Sequence, residues 1–224
     1  MRRAVLTIVG AGAILLAGAG IAADPTQTWD GLVQVPSKQM DTVFLQPGAD
    51  FRGYTKIILD PTEVAFAKDW QSNYNNSVLS SSQRVSDAQV QQTISEAVTA
   101  AGSIFAEAWT KGGFSVVATP GPDVMRVKTG VVNITMTAPE AAAAGRTQSY
   151  AAEAGQATFY VEVRDSLTGA LLGRAIDRTL VGNNFNTART GTSNRADFRA
   201  EVQRWADISV RGVSELKALS PVRR

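Results

Sequence analysis

Between Ala157 and Val163 the chain alternates with a strict period of two. Ala157, Phe159, Val161 and Val163 are separated by Thr158, Tyr160, Glu162 and Arg164 as the run continues. Successive side chains of a strand point to opposite faces, so this spacing predicts a strand with one apolar and one wet side. Asp165 to Gly169 reads DSLTG, a hairpin loop in which Gly169 suits a positive φ. A returning strand follows. Pairing Asp165 with Ala170 sets Val163 against Leu172 and Phe159 against Ile176, all on the inner face. Glu162, Arg164 and Asp177 then face water. Arg174 falls opposite Val161 on the apolar side. There it needs a carboxylate or carbonyl partner, or an edge position from which its stem reaches water.

Those charges admit a second reading. A carboxylate-based hydrolase of envelope polymers would need two acids about 5–9.5 Å apart with one pKa raised, and Glu162 with Asp165 or Asp177 is the available set. Alternating cross-strand charges reach that spacing in ordinary sheets, as solvated ion pairs worth a fraction of a kcal/mol. The hairpin reading therefore leaves no catalytic residue. Glu162, Arg164, Arg174 and Asp177 stay as candidates for a polar binding face.

Two residue types are missing: the 224 residues include neither Cys nor His. Thiolate chemistry, disulfides, a Ser-His-Asp triad, a His general base and Cys- or His-ligated metals are excluded. Carboxylate, Lys, Tyr and Ser/Lys chemistry remain. No cofactor motif is present. GAGAIL near the N-terminus superficially resembles a dinucleotide-binding turn, but Leu15 stands where the third small residue belongs.

That N-terminus has the layout of an export signal. Arg2 and Arg3 precede an apolar stretch from Ala4 to Gly18, and Gly20-Ile21-Ala22 fits cleavage after Ala22. Left uncleaved, the stretch approaches the ~20 residues of a membrane span, which would give the chain a membrane contact. The whole chain has 22 Lys and Arg against 20 Asp and Glu, and cleavage would leave 20 of each. A general nucleic-acid binder needs a clustered basic excess, so nucleic acid is not an expected partner.

Along the expected mature chain, residues 23–53 carry several Pro and Gly breakers and read as an irregular arm. Trp29, Leu32, Val43, Phe44 and Phe51 are its candidate pins. A strand is expected over 55–59, with a bend at Asp60-Pro61 and a continuation to Phe66. Residues 72–84, rich in Asn and Ser, read as a loop. Ser86 with Gln89 forms a capping-box pattern. It opens a helix whose Val90, Ile94, Val98, Ala101, Phe105 and Ala108 make one stripe, stopped by Gly112 and Gly113. Phe105 and Trp109 read as core. A short strand from Phe114 precedes a long one from Val124 to Met136. There Met125 and Val127 have the opposite parity to Val132, Ile134 and Met136, which a one-residue bulge near Gly130 would reconcile. The Ala-rich connection after it has room for a helical turn, with Tyr150 packing or capping, and residues 182–193 read as a polar loop. A second helix, capped by Ser193 or Asn194, has the stripe Phe198, Val202, Trp205, Ser209, Val213 and Leu216. These elements predict an α+β domain over 54–219 with a short tail at 220–224. Its order is β-α-β-β-β-β-α: a mostly antiparallel five-stranded sheet with both helices on one face.

Five stretches carry a family resemblance: FLQPGADFRGYTKIILDPTEVAF, AGSIFAEAW, GGFSVVATPGPDVMRVKTGVVNI, AGQATFYVEVRDSLTGALLGRAIDR and SNRADFRAEVQRWA. Together they cover most of residues 44 to 206. The sequence resembles domain of unknown function 3313, a bacterial family of envelope lipoproteins. The resemblance implies an envelope location and transfers no site residues. One departure matters: Leu16-Ala17-Gly18 is followed by Ala19, where a lipobox has the Cys that is acylated. The expectation is an exported, non-lipidated protein of the periplasm or cell envelope. Its expected role is non-enzymatic binding or assembly, with an envelope protein, glycan or lipid as partner. Pairing of copies through an exposed strand edge is a third possibility.

Overall fold

A computed structural model of the chain describes residues 27–137, 149–151, 153–182, 187–189 and 191–222. The export segment, its cleavage site and the lipobox position at which Ala19 stands in place of Cys lie outside them. So do the side chain of Tyr150 and most of the Ala-rich connection.

The α+β class holds, but the sheet is larger than expected. Its strands are β1 (Val33–Val35), β2 (Thr42–Leu45), β3 (Lys56–Leu59), β4 (Glu63–Phe66), β5 (Ser115–Val116), β6 (Val124–Met136), β8 (Gly155–Asp165) and β9 (Leu171–Val181). The spatial order is β1-β2-β9-β8-β6-β3-β5, with β4 pairing β6 beyond β3. The pairings from β1 through β6 are antiparallel, while β3 and β4 run parallel to β6 and β5 runs parallel to β3. Thus β5 joins the far side of β3 rather than forming a hairpin with β6. A small second sheet pairs β7 (Ser149–Ala151) with β10 (Thr187–Arg189), in stretches read as connection and loop.

The arm supplies the additional strands β1 and β2. Val33 and Val35 flank Gln34, and Val43 and Leu45 flank Phe44, a period-two signal too short to stand out among the breakers. Thr42–Leu45 pair with Gly173–Ile176, so the arm continues the sheet past β9. Leu32 and Phe51 are fully buried pins, but Trp29 is 95% exposed. The chain end folds back onto the arm: Gly48 N donates to Val222 O at 2.9 Å and Val222 N to Ala49 O at 2.9 Å.

Among the described residues three α-helices accompany the sheet: α1 (Trp70–Ser77), α2 (Asp87–Lys111) and α3 (Gly191–Leu219). Helix α1 corrects the loop reading. Phe66, Trp70 and Tyr74 recur every four residues and stack, with ring centroids 4.4 and 5.9 Å apart. That apolar rung outweighs the weak helix propensity of Asn and Ser. Helix α2 begins with the expected capping box and ends at Gly112, with Gly113 at φ +87°. Helix α3 starts at Gly191, earlier than the expected cap. Both long helices cover one sheet face. Phe159 stacks between Phe105 of α2 and Trp205 of α3 at 5.7 and 5.1 Å, and all three are fully buried.

Two bulges set which side chains reach that core. In β6 the irregularity falls between Val132 and Thr135, not near Gly130, and Asn133 takes it with φ +53°. Asn tolerates that left-handed conformation better than most residues. Val131 and Ile134 therefore point inward, while Val132 pairs with Thr158 on the other side. The second bulge lies between Val163 and Arg164. Val163 pairs with Gly173 and Arg164 with Leu171, which leaves Leu172 as the additional residue. Beyond it the expected register is shifted by one. Phe159 pairs with Asp177, Tyr160 with Ile176 and Glu162 with Arg174. Asp177 is thus buried at 6% exposure, Ile176 turns outward, and Arg174 leaves the apolar face.

Burying Asp177 is tolerable because its oxygens are occupied. Trp205 Nε1 donates to Oδ2 at 2.8 Å, Arg204 Nη2 donates to the same oxygen at 2.6 Å, and the Asp41 amide donates to Oδ1 at 3.3 Å. Asp177→Ala would strand the buried indole N–H and the amide, at a cost of about 2–4 kcal/mol. Ile176→Ala, on the wet side, should cost about 1 kcal/mol or less. Urea unfolding at pH 7 checks the order; the sequence-based register predicts the reverse.

Candidate binding cleft and the charged sheet face

The structure separates the four candidate residues. Glu162, Arg164 and Arg174 meet on the outer face of the sheet, whereas Asp177 lies on the inner one. Arg164 Nε donates to Glu162 Oε1 at 2.7 Å, and Arg174 Nη2 donates to Glu162 Oε2 at 2.9 Å. Arg174 Nη2 also reaches Asp30 Oδ2 at 3.0 Å, so the arm is tied to the hairpin. Asp165 holds the hairpin turn, accepting from the Thr168 amide at 2.7 Å, the Leu167 amide at 3.1 Å and the Tyr54 hydroxyl at 2.9 Å. Gly169 there has φ +71°, as its turn position requires.

Asp30, Glu162 and Asp165 are set up to stay ionised. Partial burial alone would raise the Glu162 carboxyl, but hydrogen bonds from Arg164 and Arg174 outweigh it and hold it below its ordinary range. A hydrogen bond from the Thr28 hydroxyl lowers Asp30, with Arg174 adding to it. The Thr168 amide lowers Asp165. A general acid needs the opposite shift. On the same face Tyr160 lies over Gly130, where a Cβ would come within 2.1 Å of its ring, and its hydroxyl donates to Glu63 at 2.5 Å.

The concave feature lies on the other face. Beyond the bulge, β9 presents Gly173 and Ala175 inward, where the expected register would have placed Leu172 and Arg174. Small residues there, and Gly212 on the facing turn of α3, leave a cleft of about 980 Å³ between the sheet and the C-terminal half of α3. The β1–β2 connection forms one rim. The volume lies at the upper end of the ~300–1,000 Å³ typical of small-molecule sites. Val35, Val43, Ile208, Val213 and Leu216 contribute apolar wall, Lys38, Arg174 and Ser209 contribute polar groups, and Glu215 is the one acidic residue among its lining. Trp109, fully buried, also lines it. The Nε1–H of Trp109 and the Oε1 of Gln39, another lining residue, are buried without a hydrogen-bond partner among the described residues. A second groove of about 420 Å³ lies between α2, the start of α3 and the β4–β6 side of the sheet, with Glu96 as its one acid. Among the described residues no cluster of acids could hold a metal ion.

A family model described as protein of unknown function (DUF3313) matches residues 20–208. The chain belongs to this family. A comparison with curated proteins finds no match. Among solved structures, this DUF3313 chain is similar to the PelC dodecamer subunit from Paraburkholderia phytofirmans, at 15% identity and a TM-score of 0.36, over 74% of this chain and 96% of that one. It is also similar to protein XCC0632 from Xanthomonas campestris, of family DUF330, at 10% identity and a TM-score of 0.39, over 83% of this chain and 94% of that one.

Sequence reasoning found the charged face but missed the cleft. The available signal was Gly212, a glycine inside a strongly periodic helix, where it costs about 1 kcal/mol relative to Ala.

The charged face makes a pH prediction. Asp30, Glu162 and Asp165 have folded-state pKa values below those of the unfolded chain, near 4. Their stabilisation is therefore complete above that range and is lost as pH falls through the folded values. The urea midpoint should stay level from pH 7 to about 5.5 and fall below about pH 4.5, and Glu162→Gln should flatten that acid limb.

Proposed function

We propose that this DUF3313 protein is exported to the cell envelope and there binds an apolar component in the cleft beneath the β1–β2 hairpin, without catalysing a reaction. The observation that carries the reading is the distribution of the acids. Each of the two grooves has a single acidic residue in its lining, and Glu162 and Asp177 lie on opposite faces of the sheet. A carboxylate-pair hydrolase needs two acids converging in one concavity with one of them desolvated. Here Glu162 is committed to Arg164 and Arg174, and Asp177 to Trp205 and Arg204. His and Cys are absent from the sequence, and the cleft beneath the β1–β2 hairpin is the larger of the two concave features described.

Export is supported by the N-terminal layout and by the resemblance to envelope lipoproteins. Among the described residues no helix is long and apolar enough to cross a membrane.

A photoreactive benzophenone side chain in place of Leu216, irradiated in intact cells, should give a covalent adduct on the α3 peptide by mass spectrometry. The same group at Leu167, on the far hairpin, should give none. Equal labelling at both positions would contradict the reading. So would a polymer-hydrolysing activity of the purified protein that Glu162→Gln abolishes.

A further inference from the structure

The sheet is wider than its helices can cover. Seven strands lie side by side, and at about 4.8 Å spacing they make a face about 29 Å across. Two long helices packed 8–10 Å apart cover about 20 Å of such a face. The remainder is about one helix wide, and the cleft places it on the β1–β2 side of α3. There Val43 and Leu45 face inward beside Ala175 and Gly173, and Val35 and Val43 stay half-buried. The opposite wall is the C-terminal part of α3, where Ile208, Gly212, Leu216 and Leu219 recur at steps of four, four and three. That stripe is about 16 Å long, or three helical turns. Leu219 at its end is 71% exposed. A helix of about 10 Å diameter and that length fills about 1,300 Å³. The cleft, at about 980 Å³, holds most of one.

The polar groups of the lining fit the same occupant. Most are already committed within the chain. Ser209 Oγ donates to Trp205 O at 2.7 Å, Ser220 Oγ donates to Leu216 O at 2.6 Å, and Ser37 Oγ accepts from the amides of Gln39 and Met40. The Arg174 guanidinium is held by Glu162 and Asp30 on the outer face. Trp109 Nε1 and Gln39 Oε1 are sealed inside the wall, out of reach of an occupant. Two charges are left over: Lys38 on the β1–β2 rim and Glu215 on the α3 rim. Both are exposed, and neither forms an ion pair with another described residue. An extended peptide or a glycan would need donors and acceptors along its whole length, which these walls have already used. An alkyl chain has no use for opposite charges on facing rims. A helix satisfies its own backbone, buries an apolar stripe and carries charges on both flanks.

We infer that the cleft between α3 and the β1–β2 side of the sheet is a docking groove for about three turns of an amphipathic α-helix from a partner protein. Its acidic flank meets Lys38 and its basic flank meets Glu215, so the charges fix how the helix is seated. The inference rests on the binding reading above and adds to it the class of partner.

Gly212 gives a clean test. A Cβ built on it meets nothing within 4 Å, so a Phe there enters the groove without displacing the core. Gly102 on α2 is also open at that distance and lies outside the lining, which makes it the matched control. Protein purified from exporting cells is panned against displayed helices of about 14 residues, with varied apolar residues along one stripe and Glu or Lys on either flank. Enriched helices are then measured as free peptides by fluorescence anisotropy. They are expected to carry Glu on one flank and Lys on the other. Gly212→Phe should weaken them at least tenfold and Gly102→Phe less than twofold. Lys38→Glu should weaken them at least fivefold, and exchanging the peptide's Glu flank for Lys should restore binding to within twofold.

The inference is overturned by no enriched helix, by binders that Gly212→Phe leaves untouched, or by a flank preference that Lys38→Glu does not move. A Leu216 crosslink whose partner is a lipid or a second copy of this chain would overturn it as well. If no helix binds while the Leu216 crosslink still forms, the class of partner falls and the binding reading stands. If neither occurs, both fall.

Discussion

Between Val163 and Arg164 the ladder of β8 and β9 skips a residue, and Leu172 has no partner across the strand. A strand has a side-chain period of two, so one additional residue exchanges its faces from there onward. Three consequences follow along β9. Gly173 and Ala175 turn inward and leave the cleft unfilled. Arg174 turns outward, into reach of Glu162 and Asp30. Asp177 turns inward, beneath α3, where Trp205 and Arg204 hold it. The cleft, the charged face and the anchoring of the last helix all depend on that single irregularity.

The same irregularity sets how much could be read beforehand. Phe159, Val161 and Val163 were legible as the buried side because β8 has no bulge between Ala157 and Val163. The stripes of α2 and α3 were legible because burial against a sheet leaves a 3.6-residue signature. The return strand was not. Its LLGRAIDR run has apolar residues at both parities, and pairing it outward from the turn gives no cue to a skipped residue. Asp177 was read as solvated because acids seldom enter a core, and its compensating partner, Trp205, lies 28 positions away on another element. In β6 the need for a bulge was visible, but its position was not. Gly130 was the obvious candidate, yet it is occupied by the ring of Tyr160, and Asn133 takes the strain instead.

The polar residues fall into two groups with different physical roles. On the outer face Asp30, Arg174, Glu162 and Arg164 form a chain of partly exposed ion pairs. Isolated pairs of this kind contribute little, but this chain fixes the arm to the hairpin and so keeps one rim of the cleft in place. On the inner face Asp177 sits in a dry layer, where loss of a partner is far more costly than the pair itself is stabilising. Candidate residues chosen by charge alone mixed the two groups. Burial separates them.

The central claim is that β9 is shifted by one residue and that Asp177 consequently lies against the Trp205 indole. Proton exchange of the indole N–H groups, followed by NMR on ¹⁵N-tryptophan-labelled protein in D₂O, reads this directly. The account predicts that the Trp205 indole proton exchanges as slowly as core amides while that of exposed Trp29 is lost at once, and that Asp177→Ala removes the Trp205 protection. A Trp205 proton that exchanges as fast as that of Trp29 in the unaltered protein would contradict it.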